Sequence, residues 1–200
     1  MAKPLTPEDL CLYKRLINLR SKRIPVAYII GKKEFYGEDF RVSPGVLVPR
    51  PETELVVDKA LEILEGSVNP KVADLCCGSG VIGISIALNH PTAQIFASDI
   101  SQEAGRVTLK NAQALGVDKR LTFRDGDLWE PLVKENLTSL DLIVSNPPYI
   151  PSMEISALAP ELLHEPKLAL DGGVDGLELY KPIVEGAIDH LRPGGHIILE

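Results

Sequence analysis

Apolar positions first recur at a helical spacing. Leu10, Tyr13, Leu16 and Ile17 share one face behind Thr6-Pro7-Glu8-Asp9, where a capping threonine and a first-turn proline mark a helix start. This predicts a helix over residues 8–23. Short extended runs at 27–30, 34–36 and 40–42 follow, divided by Gly31, Gly37 and Ser43-Pro44-Gly45, which predicts a small β-hairpin region. Val46-Leu47-Val48 then leads through Pro49-Arg50-Pro51, a rigid extended link, into an amphipathic helix that Gly66 ends.

From Lys71 the rhythm changes. Strands are predicted at 72–75, 94–98, 121–124, 140–145 and 196–199. Helices are predicted at 81–89 and 102–115, in a short turn after 124, and at 177–191, with a long loop after Tyr149. Strands alternating with helices of this length form βαβ units and a mostly parallel sheet, so the fold class is α/β.

Composition narrows the class. The chain has 200 residues, 44% hydrophobic and 24% charged, the balance of one globular domain with at most a small appendage. The opening MAKPLTPEDL lacks the order of a signal peptide, and no apolar run is long enough to span a membrane. Three cysteines, Cys11, Cys76 and Cys77, make neither a disulfide scaffold nor a metal site, and a reducing cytoplasm is the expected location. The net charge of −7 is uneven: residues 1–50 carry 10 of the 21 Lys and Arg but five of the 28 acids. Contact with a polyanion is therefore expected, if anywhere, in the first quarter, and direct nucleic-acid binding by the whole chain is not expected.

Gly78, Gly80 and Gly83 fit G-x-G-x-x-G between a strand and a helix, and Asp99 lies 21 residues after Gly78 at the next strand end. Glycines let a ligand lie against the backbone, and a strand-end carboxylate accepts bonds from two ribose hydroxyls. By this pattern alone NAD and S-adenosylmethionine are equal candidates. Asn146-Pro147-Pro148-Tyr149 separates them. Two prolines fix the backbone and remove two N–H donors, which leaves the Asn146 side-chain oxygen and the Pro147 carbonyl as acceptors beside the Tyr149 ring. That set suits a planar NH₂ group, whose nitrogen is a poor nucleophile until it is held and aimed at a sulfonium methyl. Hydride transfer has no use for it. Three weaker candidates accompany these: His164-Glu165 as an acid–base pair, Asp125-Gly126-Asp127 as a cation turn, and Arg50 as either a substrate contact or an internal ion pair.

Asp74-Leu75-x-x-Gly78-Ser79-Gly80, Ser98-Asp99-Ile100-Ser101 and Ser145-Asn146-Pro147-Pro148-Tyr149-Ile150 resemble the class I S-adenosylmethionine-dependent methyltransferases that act on NH₂ groups. Arg23-Ile24-Pro25-Val26-Ala27-Tyr28-Ile29-Ile30-Gly31, Glu34-Phe35-Tyr36-Gly37 and Val48-Pro49-Arg50-Pro51-Glu52-Thr53-Glu54 resemble, more narrowly, the protein-(glutamine-N5) methyltransferases of the HemK/PrmC family. Glu165-Pro166-x-x-Ala169-Leu170-x-Gly172-Gly173-x-Asp175-Gly176-Leu177 fits the same family.

The resemblance implies a Rossmann-like sheet with helices on both faces, preceded by a short helix and a β-hairpin. It implies S-adenosyl-L-methionine as cofactor and, as substrate, the glutamine of the Gly-Gly-Gln motif in peptide chain release factors. Cys76, Cys77, Gly78, Ser79 and Gly80 would line the donor, Asp99 would hold its ribose, and Gly126, Asp127 and Leu128 would flank its adenine. Asn146, Pro147, Pro148 and Tyr149 would hold the glutamine amide, with Asn146, Pro147 and Tyr149 as the catalytic group and Asn146 also beside the donor. Many relatives carry Gly-Thr at Cys76-Cys77, and some carry an aromatic residue at Leu128. The implied organisation is a helical remnant at 1–24, a hairpin linker at 25–50 and a methyltransferase domain at 51–200. Two further strands of the family lie beyond Glu200, so an exposed sheet edge and lowered stability are expected here. Methylation of a ribosomal-protein glutamine, methylation of a DNA amino group, and cofactor binding without catalysis are the competing functions.

Overall fold

A computed structural model describes residues 6–200; of the expected helical remnant at 1–24, residues 1–5 lie outside the described part. Helix α1 (Pro7–Ser21) starts in a reciprocal capping box between Thr6 and Asp9, as the sequence predicts. None of its residues is buried. Arg20 and Arg23 tie it to Glu161.

Residues 27–30 are not extended as expected. They form a helical turn, α2 (Val26–Ile30), which ends at Gly31 in the left-handed region. The β-branched run yields to tertiary packing. Ala27 enters a cluster with Val42, Val46 and Val48, and the Tyr28 hydroxyl donates to the Val46 carbonyl at 2.5 Å. The cluster also takes in Ala104 and Val107 of the main body. The hairpin is β1 (Lys32–Phe35) against β2 (Glu38–Arg41), and its Phe35 and Phe40 are buried in the larger core cluster. A turn of 3-10 helix, Pro51–Thr53, runs directly into α3 (Glu54–Leu64).

The main body alternates β3 (Lys71–Leu75), α4 (Val81–Asn89), β4 (Gln94–Asp99), α5 (Gln102–Ala114), β5 (Leu121–Asp125), α6 (Glu130–Lys134), β6 (Leu140–Ser145), α7 (Tyr180–His190) and β7 (Leu191–Leu199). The five strands are parallel in the order β5-β4-β3-β6-β7. Period-two alternation divides their side chains between two layers. Val72, Ile95, Leu142 and Val144 pack with residues of α3, α4 and α5, while Ala73, Leu75 and Ile143 pack with Leu132 of α6 and Ile183 and Ala187 of α7. Helices therefore cover both faces.

Most element ends fall within two residues of expectation, the hairpin strands lying one to two residues early, and two boundaries differ by more. Helix α7 begins three residues late, because Gly176 turns through positive φ and the Asp175 carboxylate accepts from the Leu177 N–H. Strand β7 begins five residues early, with a register shift where it meets Leu140 and Leu142.

Sheet order decides where a site can form. β3 and β6 are neighbours, and the chain leaves β3 for one side of the sheet and β6 for the other. Their carboxyl ends flank the crevice in which doubly wound sheets hold ligands. Helix α4 lies close over β3 and β4: a Cβ on Gly83 would stand 2.7 Å from Ile95 Cγ2 and 2.9 Å from Asp74 Oδ2. Gly83→Ala should therefore lower the thermal midpoint, since overpacking of ~1–3 kcal/mol outweighs a helix-propensity gain of ~1 kcal/mol. A midpoint equal to or above the wild type would contradict that packing.

Candidate active site

The glycine loop turns sharply out of β3. Cys76, Gly78 and Gly80 all have positive φ, at 55°, 56° and 81°. The loop is held from two directions. The Gly78 N–H donates to Asp99 Oδ2 at 2.9 Å, and the Cys77 N–H to the Ser98 carbonyl at 3.0 Å. From α5, Thr108 Oγ1 donates to the Gly78 carbonyl and Asn111 Nδ2 to the Ser79 carbonyl. The turn is thus fixed before any ligand arrives.

A cavity of about 300 Å³ opens over this turn, with a mostly apolar wall. Of the residues expected along the donor, Cys76, Cys77, Gly78, Ser79, Asp99, Asp127, Leu128 and Asn146 line it, as does Gly126. Gly80 does not face it; a Cβ there would press on Thr108 at 2.8 Å, so its work is the left-handed start of α4. Burial pushes the Cys76 thiol up to about 12 and the Cys77 thiol well above its ordinary range, with the nearby carboxylates adding to both. Neither is a nucleophile at neutral pH.

Asp99 is arranged as an acceptor. Oδ2 takes the Gly78 N–H and Oδ1 takes the Ser101 N–H at 2.9 Å, which leaves each oxygen a second lone pair. Burial raises its carboxyl above the usual range, against those N–H bonds. Two vicinal hydroxyls match the remaining capacity and favour the charged form. Asp74, one strand away, is fully buried: Oδ2 accepts the Gly83 N–H at 2.9 Å, and Oδ1 has no partner.

The tetrad leaves β6 at the cavity's other side. Asn146 and Pro148 line the cavity; Pro147, which is buried, and Tyr149, which is 47% exposed, are not among its lining residues. No backbone N–H among the described residues bonds to the Pro147 carbonyl. Beyond the tetrad, Ile150 exchanges backbone bonds with Leu170 and Gly172, and a Cβ on Gly172 would stand 2.7 Å from the Pro148 carbonyl. Gly172 therefore lets the long loop press against Pro148, and Gly176 lets it press against Tyr149.

The loop also closes the cavity. Pro166, Leu168 and Ala169 face it together with Pro49 from the extended link. Glu165 joins these two walls. Its carboxylate, almost wholly buried, accepts from the Val48 N–H at 2.9 Å and from Arg50 at 2.6 Å. Arg50 is thus an internal ion pair. His164 and Glu165 are not an acid–base pair: exposed His164 sits 3.0 Å from the Lys22 carbonyl, away from the buried carboxylate. Asp125 and Asp127 are both exposed. Sequence reading gives two contributors no such part: Glu165 is weighed only as an acid–base partner of His164, and Thr53, which accepts from Asn146 Nδ2 at 3.3 Å, is visible only as a motif letter.

A family model described as "Methyltransferase small domain" matches residues 53–176. The release factor glutamine methyltransferase of Geobacter sulfurreducens is 43% identical over 199 residues, 99% of this chain and 68% of that protein. The release factor glutamine methyltransferase of Moorella thermoacetica is 40% identical over 200 residues, 100% of this chain and 70% of that protein. Among solved structures, the catalytic domain of hMettl16 in complex with the MAT2A 3'UTR hairpin 1 superposes with a TM-score of 0.65 at 10% identity, covering 90% of this chain and 72% of that one. That likeness concerns the fold alone.

The environment of Asp74 has a measurable consequence. Burial pushes its carboxyl up to about 7, with the Gly83 N–H opposing and the Asp99 charge adding. An unfolded-chain carboxyl titrates near ~3.9. Between roughly pH 4 and 7 the folded chain therefore keeps a proton that the unfolded chain has lost, and stability falls as pH rises. Asp74→Asn keeps an acceptor for Gly83 and cannot ionise. In thermal unfolding the wild type should lose stability relative to this variant from about pH 4 to pH 7; parallel profiles would contradict the assignment.

Proposed function

The chain belongs to the release factor glutamine methyltransferase family, and from that footing we propose that Asn146 and Pro147 hold the side-chain amide of a release-factor glutamine while its nitrogen is methylated. The protein is a transferase, and S-adenosyl-L-methionine is its methyl donor. The observation that carries the site reading is the placement of Asn146 on the wall of the cavity that also holds the glycine loop and Asp99.

The residues suit that donor. Gly78 brings bare backbone to the cavity, Asp99 offers two lone pairs to ribose hydroxyls, and Leu128 offers an apolar face to adenine. When bound, the donor supplies a methyl group on a positively charged sulfur. The rest is the work of this chain. A glutamine amide nitrogen is planar, with its lone pair spread into the carbonyl. Asn146 Oδ1 and the Pro147 carbonyl each accept one N–H, which fixes the amide plane and favours positive charge on the nitrogen as it forms a bond to carbon. The nitrogen then carries one proton too many, which is acidic and passes to solvent; no strong base is needed. Tyr149 covers one face of the amide, and the buried prolines keep water from competing for the acceptors.

The acceptor in this reading is the glutamine of a release factor's Gly-Gly-Gln motif, in preference to a ribosomal-protein glutamine or a DNA base. The names of the relatives support it. We retain the division at 1–24, 25–50 and 51–200, with the exposed, basic first segment available to a partner protein. No described helix is long and apolar enough to cross a membrane.

The test is transfer of a labelled methyl group to a purified release factor. Asn146→Ala should lower the rate at least ~10²-fold. Donor affinity by calorimetry should stay within about twofold, because in this reading the side chain of Asn146 acts on the substrate amide. Turnover near the wild-type rate would overturn the role of Asn146, and label on a residue other than glutamine would overturn the substrate.

A further inference from the structure

We propose that Thr53 is a positioning residue, which decides which end of the Asn146 amide faces the substrate. The inference rests on the reading of Asn146 as an acceptor for the glutamine amide. An asparagine side chain has two nearly isosteric ends, and only one serves here. Oδ1 toward the pocket accepts a substrate N–H. Nδ2 in the same place sets donor against donor.

The structure anchors one of these ends. Asn146 Nδ2 donates to Thr53 Oγ1 at 3.3 Å, across 93 positions of sequence. With Nδ2 engaged, Oδ1 is the end left for the cavity, which both residues line. Thr53 is itself only 2% exposed, so water is a poor substitute for its hydroxyl.

The hydroxyl is also held in place. Thr53 closes the 3-10 turn that starts at Pro51, and its N–H donates to the Arg50 carbonyl at 3.1 Å. The Arg50 side chain is pinned by Glu165, which also takes the Val48 N–H. A continuous series of contacts thus runs from the loop that closes the cavity, through the link, to the amide of Asn146. Val48-Pro49-Arg50-Pro51-Glu52-Thr53-Glu54 gains a physical role from this: it carries one hydroxyl to the end of β6.

Thr53→Val keeps the shape and removes the hydroxyl, whereas Thr53→Ser keeps the hydroxyl. Three measurements on the full chain separate the outcomes: methyl transfer to the release factor, donor affinity by calorimetry, and hydrogen exchange of the Asn146 side-chain NH₂ by NMR without donor. For Thr53→Val we expect kcat to fall roughly 10- to 100-fold. Donor affinity should stay within about twofold, and the Asn146 NH₂ should lose its protection from exchange. Thr53→Ser should restore most of the rate and the protection. The proposal is overturned if Thr53→Val leaves rate and protection unchanged, if Ser and Val are equally impaired, or if donor affinity falls as far as the rate. Asn146→Ala distinguishes the underlying reading: an active Asn146→Ala enzyme removes the site assignment itself, whereas an inactive one beside a fully active Thr53→Val removes only the role of Thr53.

Discussion

Two oxygen acceptors at the end of β6 have to face one point and stay there. A planar amide nitrogen gives up its delocalised lone pair only if its hydrogens are held, and water cannot hold them at a fixed angle. Much of the surrounding architecture satisfies that single demand. Pro147 and Pro148 remove backbone freedom and backbone donors together. Gly172 admits the long loop against Pro148, and Glu165 ties that loop to the link before α3.

The second demand comes from the donor, and it is met across a strand boundary. β3 and β6 are neighbours in the sheet, so the glycine loop and the tetrad open onto one crevice although 66 residues separate Gly80 from Asn146. Asp99, from the next strand, braces the loop through Gly78 while keeping lone pairs free. Thr108 and Asn111 take up the loop's carbonyls from α5, so the loop is held by partners that the ligand does not displace. A site that depends on placement rather than on a strong base is built from such restraints.

What the sequence revealed and what it concealed divide by the range of the contacts. Helix α4 and strand β6 were predicted with their observed ends, because hydrophobic periodicity and glycine or proline punctuation act locally. The glycine loop, Asp99 and the tetrad were legible because each stands at a strand end. Residues 27–30 were misread because Ala27 and Tyr28 are placed by the 42–48 segment rather than by their own propensity. The roles of Thr53 and Glu165, and the partner of the internal ion pair that Arg50 was open to, are beyond local reading for the same reason: the partners lie 93 to 117 positions away. Gly80 is a different case: the motif does not say which glycine lines the cavity and which one starts the helix.

The most direct measurement is a crystal structure of this chain with S-adenosylhomocysteine and a release-factor peptide carrying the glutamine. The account predicts the glutamine side-chain nitrogen within hydrogen-bond distance of both Asn146 Oδ1 and the Pro147 carbonyl, with the donor's sulfur on the far side of the space the methyl group would fill. A glutamine seated elsewhere in the cavity, or bonded to neither oxygen, would contradict it.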